Sequence, residues 1–218
     1  MAYKAIVIGG SGLIGRKLIN ILLQWPGYDE IVCLGRKKIG ITSDRLKQVI
    51  VDFDRLENYT DLINGHACFC CIGTTKSKTP DKKKYRKIDH DYPVKLAQIA
   101  KQNGIGQYHF VSSIGANKAS TTFYTRLKGE TEEDLKAVSL KSLFIYRPSI
   151  LVGDRLEGRI TEGIIVAIMK VINPLLLGPL KKYRSILAYT VAVAMYKQSL
   201  KNTPGIFTYE SDEIKQLA

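Results

Sequence analysis

The chain has 218 residues, 45% of them hydrophobic and 24% charged, with a formal net charge of +13. Those proportions suit one sizeable globular domain and exclude a disordered or collagen-like chain. The most apolar late stretch, Ile164 to Leu180, is broken by Lys170, Asn173, Pro174, Gly178 and Pro179 and makes a poor membrane span.

A first strand is expected over Lys4–Ile8. It runs into Gly9-Gly10-Ser11-Gly12-Leu13-Ile14-Gly15, after which Leu18, Ile19 and Leu22 repeat with helical spacing to about Gln24. Trp25-Pro26-Gly27 ends that helix. A strand entering a helix through glycines aims free backbone N–H groups at one point, and the helix dipole adds partial positive charge there. Two registers fit the turn, one on Gly10, Gly12 and Gly15 and one on Gly9, Gly12 and Gly15, and both suit a dinucleotide pyrophosphate.

A second strand is expected over Glu30–Leu34. An acid about 20 residues past the glycines is what binds the ribose 2′-hydroxyl of NAD. Here the strand runs out into Arg36 and Lys37, which suit the 2′-phosphate of NADP(H) over NAD(H). A third strand, Gln48–Val51, gives onto Asp52-Phe53, where the acid either faces an adenine or caps a turn. A short helix follows near Leu56–Ile63. The fourth strand, Ala67–Ile72, ends in Gly73-Thr74-Thr75, small enough for close approach of a cofactor ribose.

The stretch Lys76–Lys87 reads as a basic loop, and a helix is expected over about Arg86–Asn103, started or kinked by Pro93. The fifth strand, Gln107–Val111, leads to Ser112-Ser113. Thr121 and Thr122 then cap a helix that carries Tyr124 and Lys128 four residues apart on one face. The sixth strand is Ser142–Tyr146. Helices are expected over Arg159–Lys170 and Ile186–Leu200, a last strand over Gly205–Tyr209 and a short final helix. No linker divides the chain, so residues 1–218 are expected to form a single Rossmann-type α/β domain with a mostly parallel, doubly wound sheet. A small substrate-facing lobe is expected around 154–186.

A phenol titrates near 10, and a neighbouring ammonium favours its ionised form. Tyr124 beside Lys128 therefore suits general acid–base work, with a serine hydroxyl from the fifth strand end holding the substrate oxygen. Strand alternation sends one of Ser112 and Ser113 into the crevice, and Ser113 is the expected one. The four cysteines, Cys33, Cys68, Cys70 and Cys71, lie in apolar runs, and His66, His90 and His109 lack ligand spacing. Buried reduced thiols are expected, and no metal site.

Glycines 9, 12 and 15, Cys70-Cys71-Ile72-Gly73-Thr74-Thr75, Asp89-His90-Asp91-Tyr92, Ser112-Ser113, Tyr124 with Lys128-Gly129-Glu130, and Arg147-Pro148 occur in that order. Together they resemble the atypical short-chain dehydrogenase/reductases, in particular the Tat-interacting-protein-like NAD(P)-binding group. The resemblance implies that Gly9, Gly12 and Gly15 meet the pyrophosphate, with Gly10, Ser11, Leu13 and Ile14 in the same turn. It puts Arg36 and Lys37 at the 2′-phosphate, and Asp52 with Phe53 at the adenine. Cys71, Ile72, Gly73, Thr74 and Ser112 would line the cofactor, Tyr124 and Lys128 the ribose and reacting centre, and Pro148 and Ile150 the nicotinamide. Asp89 stands where related enzymes often carry an asparagine.

The expected function is an NADP(H)-dependent oxidoreductase acting on a small carbonyl or alcohol, with Ser113, Tyr124 and Lys128 as the acid–base centre. The basic clusters hint at an anionic substrate. The alternative is an NADPH-binding regulatory or sensor protein with little turnover. A nucleotide-sugar epimerase or dehydratase is less favoured, because the chain leaves little room for a large substrate lobe. Nucleic acid is not an expected partner, since the clusters lie on separate loops without an aromatic ladder. A peripheral membrane contact through Ile164–Leu180 competes with a lobe core or dimer surface there, and the chain is expected as a monomer or homodimer. Met1-Ala2-Tyr3-Lys4 leads straight into the first strand, which with the reduced cysteines points to the cytoplasm.

Overall fold

The computed structural model describes residues 3–152, 173–174 and 176–218. Strands β1 (Tyr3–Ile8), β2 (Tyr28–Gly35), β3 (Leu46–Ile50), β4 (Ala67–Cys70), β5 (Gln107–Val111) and β6 (Ser142–Arg147) pair in the order β3-β2-β1-β4-β5-β6, and every pairing is parallel. A further strand, Gly205–Glu210, adds in parallel beside β6. A short parallel pair, β7 (Leu151–Val152) with β8 (Ile186–Leu187), lies apart from this sheet, which makes the edge strand β9.

Side-chain alternation along the strands builds two cores. Ala5, Val7, Ile31, Cys33 and Phe69 face one side and meet Leu18, Ile19 and Leu22 of α1 (Leu13–Gln24). Ile6, Ile8, Val32, Cys68, Cys70 and Phe110 face the other and meet Leu96, Ala97 and Ala100 of α3 (Tyr92–Gln102). Strands covered on both faces need nearly continuous apolar runs, which is what β1, β4 and β6 contain. Helix α2 (Lys82–Arg86) precedes α3. Helix α4 (Phe123–Ala137) adds Leu135 to the second core, and α5 (Ala188–Ser199) adds Val191, Ala192 and Met195 to the first. A last helix, α6 (Ser211–Leu217), closes the described chain.

Several boundaries differ from those read in the sequence. The segment Phe53–Leu62 is a run of 3-10 turns interrupted at Arg55, not an α-helix. Helical structure after β4 begins at Lys82 rather than near Arg86. Asp81 caps it by accepting from the Lys84 N–H, so much of the basic stretch is helix. Helix α5 starts at Ala188, because Ile186 and Leu187 pair as β8 with β7. The helix expected over 159–170 and most of the lobe expected at 154–186 lie outside the described residues. At the described end of that lobe, Gly178–Tyr183 is a 3-10 turn carrying Lys181 and Lys182.

The order reverses between β1 and β4. Their carboxyl ends therefore open a crevice, the place where this sheet topology binds ligands.

Candidate active site

The crevice is entered at the glycine turn. Gly9 has φ +85°, and a Cβ there would lie 2.5 Å from the Cys71 carbonyl carbon and oxygen. A Cβ at Gly15 would lie 2.3 Å from the Gly9 oxygen. Backbone thus crosses backbone at both positions, and only glycine fits. Gly10 is different, since a Cβ there meets the tips of the Cys33, Ile19 and Ile39 side chains and no backbone. Of the two registers, the backbone favours the one on Gly9, Gly12 and Gly15, whose first and last positions admit no Cβ.

Gly12 is the N-cap of α1, with no side chain capping it and no acid in the first helical turn. Its own N–H donates to the Gly9 oxygen at 2.9 Å. Ser11 and Gly12 are exposed and Leu13 is half-buried, while Ile14 turns inward to the core and Gly15 is buried. An exposed, side-chain-poor turn at an uncapped helix start has the shape and polarity to hold a pyrophosphate.

Arg36 and Lys37 are exposed just past β2, free of any carboxylate at the position that would bind a ribose 2′-hydroxyl. Asp52 is exposed, and its Oδ1 accepts from the Asp54 N–H at 3.0 Å, so it does cap the turn at Phe53. Phe53 is buried and packs against the Tyr92 ring, with centroids 5.3 Å apart. The Tyr92 hydroxyl donates to Asp54 at 2.6 Å, and Lys87 pairs with the same carboxylate at 2.7 Å.

The end of β4 passes against Gly9 through Cys71 and Ile72, both half-buried, and reaches the exposed Gly73. Thr74 is fixed from three directions. Its N–H donates to Asp89 Oδ2 at 2.8 Å, its carbonyl accepts from the Tyr85 hydroxyl at 2.9 Å, and its hydroxyl meets that of Thr79 at 2.8 Å. Asp89 sits on Lys87–Asp91, a turn of π-helix between α2 and α3 whose following N–H, that of Tyr92, bonds the Lys87 oxygen five residues back. Such turns insert one residue into a helix and re-aim the side chains after it.

Asp89 is 1% exposed, and its Oδ1 lies 3.0 Å from the Lys128 ammonium, itself 3% exposed. The same ammonium lies 5.0 Å from the centre of the Phe110 ring. Burial pulls Lys128 toward its neutral form, but Asp89, with Tyr124 and Cys70, outweighs this and holds the group above the ordinary lysine range. Tyr124, one helical turn earlier on α4, is 37% exposed and stands edge-on to Tyr85 at 6.4 Å. A chain of contacts thus joins the glycine turn to the β4 end, Thr74, Asp89 and Lys128, with Tyr124 one helical turn from Lys128.

The two serines after β5 part company. The Ser112 hydroxyl is buried and donates to Glu132 at 2.5 Å, so that oxygen is already committed. The Glu132 carboxylate is buried as well and is clamped by Arg147, whose Nε donates at 2.9 Å. Ser113 is half-buried, and among the described residues its hydroxyl bonds the neighbouring Ile114 carbonyl, at 3.3 Å. Pro148 is buried, with its carbonyl accepting from Ile114, while Ile150 is exposed.

Gly129 matters for placement. A Cβ there would lie 2.2 Å from the Lys118 nitrogen, so this glycine lets the Asn117–Lys118 backbone lie on α4. Sequence reasoning missed Asp89 as the partner of Lys128, and also Glu132 and Tyr85. The helical spacing of Tyr124 and Lys128 pointed to a shared face, and Glu132, four residues further on, continues it.

The cysteines are free, and burial pushes the thiols of Cys68, Cys70 and Cys71 up. Among the described residues no group of side chains could hold a metal ion, and no helix is long and apolar enough to cross a membrane.

Residues 5–202 match the NAD dependent epimerase/dehydratase family. The chain is 32% identical over 160 residues to protein HTATIP2 of Rattus norvegicus, covering 72% of this chain and 66% of the rat protein. It is 34% identical over 151 residues to protein FMP52, mitochondrial, of Candida glabrata, covering 69% and 65%. The chain therefore spans about two thirds of the length of these relatives. Among solved structures, the Bordetella bronchiseptica enzyme WbmH in complex with NAD+ superposes with a TM-score of 0.74 at 16% identity, covering 99% of this chain and 79% of that one. Several fungal relatives carry mitochondrial names, which overturns the cytoplasmic expectation; free cysteines and an early first strand do not specify a compartment. With its parallel, doubly wound sheet and glycine turn, the chain belongs to the NAD dependent epimerase/dehydratase family.

Proposed function

We propose that the protein is an NADP(H)-dependent oxidoreductase acting on a small carbonyl or alcohol. The observation that carries this reading is the buried Lys128 ammonium one turn below the part-exposed Tyr124, linked through Asp89 and Thr74 to the β4 end that crosses Gly9. The family supports a nicotinamide dinucleotide, and the exposed Arg36 and Lys37 past β2 support the phosphorylated form.

In this reading Gly9, Gly10, Ser11, Gly12, Leu13, Ile14 and Gly15 receive the pyrophosphate. Arg36 and Lys37 take the 2′-phosphate, and Asp52 and Phe53 border the adenine. Cys71, Ile72, Gly73 and Thr74 form the wall beside the ribose, with the Ser112 backbone following. Pro148 and Ile150 border the nicotinamide, which when bound supplies or accepts the hydride. Tyr124 gives a proton to the substrate oxygen in reduction and removes it in oxidation. Ser113, with its hydroxyl only weakly engaged, orients that oxygen. Lys128 steadies the charge that develops on the phenol and donates to the ribose hydroxyls.

The test is a panel of carbonyl, alcohol and sugar-nucleotide compounds with NADPH or NADP+. Turnover that Tyr124→Phe abolishes without loss of NADPH binding supports the reading. Equal turnover by the Tyr124→Phe variant refutes the mechanism. Tight NADPH binding with no turnover across the panel would favour the sensor alternative.

A further inference from the structure

We propose that Asp89 is a positioning residue that holds the Lys128 ammonium against the β4 loop, so that Tyr124 works beside a charge-balanced pair instead of a free cation. The proposal rests on the reading of Lys128 as part of the reacting centre.

The geometry points this way from three sides. First, Asp89 spans two elements that the site needs, with Oδ2 on the Thr74 N–H at 2.8 Å and Oδ1 on Lys128 at 3.0 Å. Oδ1 makes no aligned hydrogen bond among the described residues, and the Lys128 ammonium at 3.0 Å is its charge partner. Second, Asp89 reaches Lys128 from a π-turn, a costly irregularity in an otherwise regular α2–α3 helix. The turn packs on α4, where the Thr131 hydroxyl lies 3.2 Å from the Asp89 carbonyl and shares its proton with the nearer Leu127 carbonyl at 2.8 Å. Third, the pair is enclosed. The groups that act on Lys128 are Asp89 from the π-turn, Tyr124 from its own helix and Cys70 from β4, with the Phe110 ring of β5 beneath. Asp89 is the carboxylate in this set.

A buried ammonium without a counter-charge tends to shed its proton. Asp89 keeps Lys128 charged, and it also fixes where that charge sits. If the carboxylate were only a piece of core, its loss would lower stability and nothing else. If it positions Lys128, its loss changes the lysine itself.

Asp89→Asn separates these cases, because the amide oxygen can still accept from Thr74 while the charge is gone. The direct readout is the titration of the Lys128 side chain by NMR in carbon-13-labelled protein, with Lys128→Met identifying the resonance. It needs neither cofactor nor substrate. The expected result is a fall in the Lys128 titration midpoint by about one pH unit or more. NADPH affinity should fall about tenfold, by a margin that widens as pH rises and the ammonium is lost. Asp89→Glu, which restores the charge, should bring the midpoint back toward that of the wild type. An unmoved Lys128 midpoint in Asp89→Asn overturns the proposal. If that variant does not fold, the double variant Asp89→Asn/Lys128→Met should fold, since removing both charges leaves no orphan. A double variant that also fails to fold counts against a charge role and overturns the proposal too. A wild-type protein that reduces nothing would defeat the functional reading, while the lysine titration would still decide this one.

Discussion

The glycine turn offers a sharp test, because each of its glycines meets a different neighbour. In Gly9→Ala the new Cβ would sit 2.5 Å from Cys71 backbone atoms, at φ +85°. Left-handed strain costs about 1–2 kcal/mol and overpacking against fixed backbone about 1–3 kcal/mol. Their sum, about 2–5 kcal/mol, is a large part of the roughly 5–15 kcal/mol that holds a domain folded. A chain of this length should lose on the order of 10 °C in Tm. Gly15→Ala should behave alike, since its Cβ would lie 2.3 Å from the Gly9 oxygen. Gly10→Ala meets side-chain tips and no backbone, the Cys33 sulfur and the Ile19 methyl most closely, so its cost should be smaller, about 1 kcal/mol. Gly12→Ala is the informative contrast. Its Cβ lies 3.1 Å from the Gly9 oxygen, a contact a small shift relieves, so Tm should change little. That Cβ stands where a pyrophosphate would approach, so NADPH affinity should fall by about tenfold or more. Thermal unfolding by circular dichroism and NADPH titration by fluorescence read the two effects separately. The reasoning fails if Gly9→Ala and Gly15→Ala melt with the wild type, or if Gly12→Ala binds NADPH undiminished.

Other outcomes follow from the same structure. Replacing Arg36 and Lys37 together by alanine should weaken NADPH about ten- to a hundredfold and leave NADH binding unchanged, because charge-assisted bonds to the 2′-phosphate disappear; calorimetry with both cofactors reads the difference. His109 is enclosed between the rings of Phe69 and Phe144, and burial, helped by His66, pulls its imidazolium down to about 3. The unfolded chain, with this group near its ordinary 6.5, binds a proton that the folded one refuses. Stability from this group is therefore full above that value and is lost as pH falls through it toward about 3, by about 1.4 kcal/mol per pH unit. Urea midpoints of His109→Gln against pH should show a shallower acid slope than the wild type, and an identical slope would contradict the assignment.

The parts of the fold legible in the sequence are those set by local repetition. The apolar run before Gly9 and the helical spacing from Leu18 to Leu22 located β1, the turn and α1 because a buried strand and an amphipathic helix leave different periods. The mostly parallel, doubly wound sheet followed from strands alternating with helices. Phe53–Leu62 misled because its apolar residues are too few to distinguish 3-10 turns from one helical turn. The start of α2 was hidden in a run of lysines, where no apolar face marks a helix and only Asp81 signals the cap. The site was legible where its residues share one helix, as Tyr124 and Lys128 do. Asp89 was not, because its meeting with Lys128 depends on a π-turn and on α3 packing beside α4. Ser112 differs from Ser113 only in the tertiary structure, where Glu132, itself clamped by Arg147, takes up the Ser112 hydroxyl.

In the proposed reaction a nicotinamide dinucleotide phosphate bound at the glycine turn exchanges hydride with a substrate whose proton passes through Tyr124. The most direct measurement is NADPH consumption over the carbonyl panel, followed by absorbance, with NADPH affinity measured alongside for wild type and Tyr124→Phe. The expected result is turnover of at least one carbonyl by the wild type, its loss by about a hundredfold or more in the variant, and the same NADPH affinity in both. A wild-type protein that does not bind NADPH, or a Tyr124→Phe variant that turns over as fast as the wild type, would contradict it.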